Sequence, residues 1–229
     1  DGTLILGTSG GTQTYNGGID TTGGGEGFGV GNTITLNGTI ATSNDIVVLS
    51  SVTLASATTI DTNATNGNGD IIIGAITGGS NNLTLSTGNN IAGADITASG
   101  AISGLGNLTL ADVGGTATFS NNVAAAALSA ANTVANIIFT GSTNTFSAAS
   151  TLANDGTLTL GNAAGDTFTF NGGVTETTTG TVTLASAISS SNDAISFGVV
   201  TLGGNTTIDT NATNTTGDIT IAAITGGNN

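Results

Sequence analysis

The chain has 229 residues and a formal charge of −14, because it carries 14 carboxylates and no Lys, Arg or His. Cys, Met, Trp and Pro are also absent. This composition removes the imidazole base, the thiol and amine nucleophiles and the thiolate ligands of metals, and it disfavours binding to nucleic acid or acidic lipid, which begins with basic residues.

Hydropathy nevertheless predicts a folded chain. Hydrophobic residues make up 37% of the sequence and the mean hydropathy is +0.29, whereas disordered chains combine low hydrophobicity with high net charge. Aromatic residues are only 3%, which predicts a narrow core of small aliphatic side chains. No apolar run approaches the roughly 20 residues that span a bilayer.

Short apolar runs with period-2 alternation predict β-strands along the whole chain. In GTLTLG, for example, Leu158 and Leu160 are expected to point inward, with Thr157 and Thr159 outward. Gly, Asn, Asp and Ser clusters between the runs predict turns. The Ala-rich stretch 123–131 is the one place where a short helix is an alternative. The runs occupy residues 34–36, 52–54, 71–73, 83–85, 108–110, 137–139, 158–160, 182–184, 200–202 and 219–221.

A long internal repeat organises these strands. Residues 33–81 align without a gap onto 181–229, with 29 of the 49 positions identical, and DGTLILG at 1–7 matches DGTLTLG at 155–161. The matches predict a first repeat unit at 1–154, which contains a glycine-rich insertion at 23–31, and a partial second copy at 155–229 that is continuous with it. We expect the chain to be a window on a longer tandem array.

Two all-β architectures suit strands of this kind. In a parallel β-helix, or β-solenoid, each rung of about 18–29 residues contributes two or three strands and stacks on the rung before it. In tandem β-sandwich domains, about seven antiparallel strands form each domain. Small core residues, abundant Thr and Asn that can stack in ladders, and the lack of Trp favour the solenoid, with the sandwich as the alternative.

Two stretches carry a resemblance to a known family: GNLTLADVGGTATF at 106–119 and NNLTLSTGNNIAGADITASGAISGLGNLTL at 81–110. Their N-L-T-L and I-x-A-x-G strings and small-residue turns resemble filamentous haemagglutinin-type adhesins. That family consists of two-partner-secreted and autotransporter-like surface proteins built as right-handed parallel β-helices. The resemblance implies an extracellular fibre or adhesin, and it supplies no catalytic residues.

One recurring segment offers hard oxygen ligands around a turn: DTNATNGNGD at 61–70 and its copy at 209–218. The simpler interpretation is a corner in which Asx side chains cap backbone N–H groups. The alternative is a calcium site, since calcium prefers carboxylate and carbonyl oxygens, although no cofactor is required. The candidate ligands are Asp61, Asn63, Asn66 and Asp70 in the first copy and Asp209, Asn211, Asn214 and Asp218 in the second.

Other polar motifs have structural interpretations. The tripeptide SND at 43–45 recurs at 191–193 and is interpreted as a turn cap. Asp166 and Glu176 are the carboxylates to examine for glycosidic acid–base chemistry, which needs two acids about 5–10 Å apart. No aromatic sugar platform accompanies them, so we expect no enzyme.

These features predict a structural protein: a repeat segment of a secreted cell-surface filament, adhesin or extracellular matrix fibre that self-assembles by β-strand stacking. The lack of Lys, Arg, Cys and Met removes trypsin sites and the main oxidation targets, which suits a protein outside the cell. The expected partners are further copies of the chain and a host or neighbouring-cell surface. Two alternatives are a receptor- or glycan-binding module that uses the insertion at 23–31 and a surface-layer lattice protein.

Overall fold

A computed structural model describes residues 3–6, 12–15, 19–20, 33–65, 69–88, 91–177 and 180–226. These ranges contain 24 β-strands, β1–β24, and no helix. Every pairing between strands is parallel and joins strands of successive turns. The fold is therefore a parallel β-solenoid of about nine turns, as predicted. The sandwich alternative is wrong, because it requires antiparallel pairs.

The strands form three ladders, called here the first, second and third faces. The first face contains β1 (Thr3–Leu6), the first parts of β4 (Thr33–Thr42), β6 (Val52–Asp61), β11 (Ile102–Leu110) and β13 (Val123–Ala130), and β8 (Ile76–Thr77), β15 (Thr143–Phe146), β18 (Thr167–Phe170), β21 (Ala187–Ser190) and β23 (Thr207–Asp209).

The second face continues each turn. It contains β2 (Thr12–Tyr15), the last parts of β4, β6, β11 and β13, β9 (Leu83–Ser86), β16 (Ser150–Leu152), β19 (Val174–Glu176), and the first parts of β22 (Ile195–Leu202) and β24 (Ile219–Gly226).

The third face completes each turn. It contains β3 (Ile19–Asp20), β5 (Val47–Leu49), β7 (Ile71–Ile73), β10 (Ile96–Ala98), β12 (Val113–Phe119), β14 (Val134–Phe139), β17 (Leu158–Leu160), β20 (Val182–Leu184), and the last parts of β22 and β24. Each rung thus contributes three strand segments.

Turn length varies along the first face. From residue 33 onward it ranges from 18 residues, between Ile34 and Val52, to 26 residues, between Ile76 and Ile102. The first turn is longer, at 30 residues from Thr3 to Thr33. The insertion at 23–31 belongs to that turn by sequence but lies outside the described residues, and the division of the chain at residue 154 stays a prediction.

A single apolar core runs inside the three faces, because alternate residues of each strand point inward. In β17 the side chains of Leu158 and Leu160 are buried, whereas Thr157 is exposed and Thr159 is half-buried, as the alternation predicts. Each fully buried aliphatic side chain stabilises the fold by about 1.5–3 kcal/mol. Burial of aliphatic residues in successive rungs is therefore the main source of stability.

The Ala-rich stretch forms strand β13, so the helical alternative is wrong there. Ala124 pairs with Thr145 in the first face, and Leu108 pairs with Leu128 in the second. The intrinsic preference of Ala for helix is a weak term of tenths of a kcal/mol per residue. Strand pairing with the turns on either side and the burial of Val123 and Leu128 outweigh it.

Aromatic side chains fill the core of the middle turns, which is therefore not uniformly aliphatic. Phe119 and Phe139 stack in the third face with ring centroids 4.6 Å apart, and Phe146 and Phe170 stack in the first with centroids 5.1 Å apart. Phe139 also meets Phe168 edge to face at 5.9 Å. These five buried rings join the two faces through the core.

Close packing of successive turns makes one glycine a sensitive position. A Cβ on Gly172 would lie 2.4 Å from the backbone nitrogen of Ala149, in the turn below. We expect Gly172→Ala to lower the free energy of unfolding by about 1–3 kcal/mol, because the backbone of that turn must shift. Gly165→Ala is the matched control, since a Cβ there meets nothing within 4 Å. Urea unfolding followed by circular dichroism measures both, and equal effects would contradict this explanation.

Candidate functional site

The Asx-rich segment forms a corner of the coil in both copies. In the first copy, Asp61 ends β6, and residues 62–65 and 69–70 lie between β6 and β7, at the corner of the second and third faces. Asn66 lies outside the described residues. In the second copy, Asp209 ends β23, and residues 210–218 lie between β23 and β24, at the corner of the first and second faces.

Asn residues shape these corners because they tolerate the left-handed backbone conformation better than other non-glycine residues. In the SND motifs, the side-chain oxygens of Asn44 and Asn192 accept hydrogen bonds from the backbone N–H groups of Thr65 and Thr213, both at 2.7 Å. Both Asn residues therefore cap a backbone N–H one turn further along. Positive φ angles occur at Asn44 (69°), Asn63 (46°), Asn192 (67°) and Asn211 (50°).

Asp61 and Asn63 also bind neighbouring backbone. Asp61 Oδ1 accepts hydrogen bonds from the Asn63 backbone N–H at 3.0 Å and from Ser86 Oγ at 3.1 Å. Asn63 Nδ2 donates to the carbonyl oxygen of Thr42 in the turn below, at 3.2 Å. The second copy repeats this arrangement. There, Asp209 Oδ1 accepts from Asn211 N at 2.8 Å and Asn211 Nδ2 donates to Ser190 O at 2.9 Å.

Asp70 connects two successive turns. Its Oδ1 accepts the backbone N–H of Asp95 at 2.8 Å, and Asp95 Oδ1 in turn accepts the N–H of Thr116 at 2.7 Å. Asn82 binds Asn107 N at 2.8 Å in the same way. Each Asx side chain here supplies a carbonyl-type oxygen to the next turn of the ladder. An Asx residue directly before a strand on successive rungs is the sequence signal for this contact, and our sequence reasoning missed it.

A column of buried threonines closes the first-copy corner from inside. Thr42, Thr62 and Thr87 directly follow the paired residues Ala41, Asp61 and Ser86 at the end of the second face, and each is at most 1% exposed. Their hydroxyls donate to the carbonyl oxygens of Asp45, Gly69 and Ala94 at 2.6, 2.6 and 3.0 Å, which satisfies these buried polar groups. In the second copy, Thr210 Oγ1 donates to Gly217 O at 2.7 Å.

The described residues contain no group of three or more His, Cys, Asp or Glu side chains that could hold a metal ion. Each corner has one carboxylate at either end, Asp61 with Asp70 and Asp209 with Asp218. Three of these four carboxylates already accept the backbone hydrogen bonds given above. Calcium requires six to eight oxygen ligands. The calcium site stays a prediction. The contacts of these carboxylates are hydrogen bonds that cap backbone N–H groups.

Asp61→Asn separates the two roles. The amide oxygen of Asn can accept the same hydrogen bonds from Asn63 N and Ser86 Oγ, but the negative charge is lost. If the corner only caps backbone, we expect the free energy of unfolding to change by less than about 1 kcal/mol and calcium titration to give no heat for either protein. A calcium-dependent rise in melting temperature that Asp61→Asn abolishes would establish the metal site instead.

Asp166 and Glu176 lie at different corners of one turn. Asp166 precedes β18, between the third and first faces, and its Oδ2 accepts the backbone N–H groups of Asn162 and Ala163 at 2.9 and 3.1 Å. Glu176 ends β19, between the second and third faces, and its Oε2 accepts the N–H of Gly198 at 2.8 Å. Both side chains are buried. Each carboxylate therefore accepts hydrogen bonds from backbone N–H groups, and the two carboxylates lie at separate corners of the coil.

The described part of the chain holds no helix that is long and apolar enough to traverse a lipid bilayer. Comparison of the chain with known protein families, with curated proteins and with solved structures finds no match. The fold and the corner geometry are therefore the observations on which a function can rest.

Proposed function

We propose that the protein is a structural repeat segment of a secreted cell-surface filament, adhesin or extracellular matrix fibre, similar in kind to filamentous haemagglutinin-type adhesins. The observation that carries this proposal is the uninterrupted parallel ladder on all three faces. A β-solenoid is compatible with such a role because its length grows by adding rungs without changing its cross-section.

The mechanical role follows from the direction of the backbone hydrogen bonds. In a stacked parallel coil these bonds run along the axis, with neighbouring strands about 4.8 Å apart. Pulling or bending the rod therefore loads many bonds at once. Outward Thr and Ser side chains, such as Thr159, Thr183 and Ser189 on neighbouring rungs, keep the sides polar. A polar surface around an apolar core suits a rod that is exposed to water along its whole length.

The rung at the end of this segment is open on one side. Ile71 and Ile76 in the first copy are 0% and 1% exposed, whereas the equivalent Ile219 and Ile224 of β24 are 47% and 58% exposed. These Ile residues hold equivalent positions in two similar segments, IIIGAIT at 71–77 and ITIAAIT at 219–225. What differs is that β10 and β11 cover the first pair, and nothing in the described chain covers the second. The same end also presents unpaired strand edges, which pair readily with another chain.

For the segment by itself, the occupant we propose for this end is the first rung of a second copy; in the longer tandem array expected from the repeat, the next rung of the same chain takes that place. In the described part of the chain, β1, β2 and β3 each pair on one side only, with β4 or β5. Their other edges can therefore continue a parallel ladder from β23 and β24. Head-to-tail addition would extend all three faces together and bury the exposed Ile side chains.

Antibody labelling tests the proposed location. An antibody raised against the shared sequence TTIDTNATN, at 58–66 and 206–214, is applied to intact producing cells and to their growth medium. We expect labelled filaments at the cell surface or in the medium. Labelling only after the cells are broken open would contradict the proposal, whatever the assembly state of the purified chain.

A further inference from the structure

An Asn-Gly dipeptide, Asn37 and Gly38, lies within β4 at the corner of the first and second faces. The pairing of β4 with β6 is irregular at this point. Before the dipeptide, Leu36 pairs with Leu54. After it, Gly38 pairs with Thr58, so that the single residue Asn37 faces a bulge of three residues in β6.

The middle residue of this bulge, Ser56, contacts both residues of the dipeptide through its hydroxyl. Ser56 Oγ donates a hydrogen bond to Asn37 Oδ1 and accepts one from the backbone N–H of Gly38 at 3.3 Å. It also lies 3.3 Å from the carbonyl oxygen of Ala57, a second acceptor for the same proton. The buried Thr58 holds the bulge in place, because its Oγ1 donates to the carbonyl oxygen of Ser56 at 3.1 Å.

The hydroxyl bridge joins the two groups that react when an Asn-Gly dipeptide cyclises. The backbone nitrogen of Gly38 is the nucleophile, and the side-chain carbon Cγ of Asn37 is the electrophile. Glycine leaves its nitrogen open to this approach because it has no Cβ, and it adopts the positive φ of 76° found here without steric cost. A hydroxyl is both a donor and an acceptor, so Ser56 can take the proton of the nucleophile while it protonates the amide oxygen.

We propose that Asn37 is a self-modification site, at which Ser56 catalyses cyclisation of the Asn-Gly dipeptide to a succinimide. As Gly38 N bonds to Asn37 Cγ, its proton passes to Ser56 Oγ and the hydroxyl proton of Ser56 passes to Asn37 Oδ1. The Oδ1 proton then moves to the amide nitrogen of Asn37, whose bond to Cγ breaks, and ammonia leaves. Water opens the ring at either carbonyl. The net exchange of ammonia for water leaves aspartate or isoaspartate and adds one negative charge at this corner.

The second copy of the repeat shows that this corner folds without the three residues. Its equivalent positions hold Ala185, Ser186 and Gly204, which lack the amide, the glycine nitrogen and the bridging hydroxyl of the first copy. The strands on either side keep the same pairing in both copies. The contacts of Ser56 therefore do not set the register of the ladder, and we expect a substitution at this residue to keep the fold.

Ser56→Ala tests the catalytic role. The unaltered chain, Ser56→Ala and Ser56→Thr are incubated at neutral pH and digested with pepsin, since the chain has no trypsin site. Mass spectrometry of the peptides then measures how fast Asn37 exchanges its amide for a hydroxyl. General acid–base catalysis contributes about 10²–10⁴-fold, so we expect Ser56→Ala to slow the exchange at least tenfold. Ser56→Thr keeps a hydroxyl and should retain most of the rate.

Asn171 is the internal reference, because Asn171 and Gly172 form the other Asn-Gly dipeptide of the described residues and lie between β18 and β19, away from the bulge. Its rate of exchange should be the same in all three proteins. The difference at Asn37 should vanish in urea, since only the fold brings Ser56 to a residue 19 positions away. Circular dichroism confirms that the variants keep the fold.

The direction of the change separates catalysis from simple positioning. If Ser56 only held Asn37 in place, its removal would free the dipeptide and make the exchange faster. A faster or unchanged rate in Ser56→Ala would therefore overturn the inference. So would a folded chain in which Asn37 keeps its amide for as long as the urea-unfolded chain takes to lose it. The inference concerns the chemistry of this corner and does not depend on the proposed fibre role.

Discussion

Phe139→Ala should cost about 3–5 kcal/mol of the free energy of unfolding, the largest loss expected from a single core substitution in this chain. Phe139 stacks on Phe119 at 4.6 Å and meets Phe146 and Phe168 edge to face at 6.4 and 5.9 Å. Truncation removes all three ring contacts, and the surrounding turns cannot collapse onto the cavity because their ladder hydrogen bonds hold them apart. Urea unfolding followed by circular dichroism measures the loss.

Ile138→Thr is the matched control for this prediction. Ile138 lies on the same strand, β14, but its side chain points outward and is half-buried. Ile and the Thr that replaces it are both β-branched, so the substitution keeps the strand preference of this position. We expect a change of less than about 0.5 kcal/mol. Hydrogen exchange adds a spatial readout, since Phe139→Ala should raise exchange most in β12, β14 and β17. Equal losses of unfolding free energy from the two substitutions would show that the Phe cluster is not what stabilises the middle turns.

The second large effect concerns the exposed last rung. We expect the 229-residue segment, when it is isolated from any longer array, to associate head to tail in a concentration-dependent way, and Ile224→Asp to weaken that association at least tenfold. Ile224 is 58% exposed, at a position whose equivalent, Ile76, is buried under the following turn. An added rung would bury the new carboxylate without a cation to pair with it, since the chain contains no Lys, Arg or His. Sedimentation equilibrium measures the association.

Thr220→Asp changes the net charge by the same amount on the same strand, β24. Its side chain lies on the outer surface, in register with Ser196 of the rung below, and would stay in water after assembly. We expect this variant to associate like the unaltered chain. Equal weakening by both substitutions would indicate general charge repulsion between rods of charge −14 instead of contact at the last rung. An unaltered chain that stays monomeric at every concentration would contradict the assembly proposal itself.

Alternation in the sequence was sufficient to predict the strands, and the small core residues, the abundant Thr and Asn and the lack of Trp favoured the parallel coil over the sandwich. Leu158 and Leu160 are buried and Thr159 is not, because side chains in any strand alternate between two faces. The capping interpretation of SND likewise rests on local chemistry, since a short Asn side chain can reach nearby backbone and tolerates positive φ.

Alternation and local turn chemistry could not predict the contacts between successive turns. The bridge from Asp70 to Asp95 N joins residues 25 apart, and the stacked pair Phe146 and Phe170 is 24 apart. Turn length varies from rung to rung, so sequence spacing does not say which residues lie above one another. Only the register of the ladder does. This is why the column formed by Thr42, Thr62 and Thr87 was not visible as a unit.

The sequence by itself therefore determined the elements of this protein: short strands, Asx corners, a repeat of 148 residues between its best-matched segments, and a surface without cations. Only the tertiary structure decided which side of the coil each of those elements faces. Two copies with the same local pairing point in different directions because a repeat of whole strands need not be a repeat of whole turns. Corners divide each turn into three strands and hydrogen bonding between neighbouring rungs fixes their register, and neither depends on where the sequence begins to repeat.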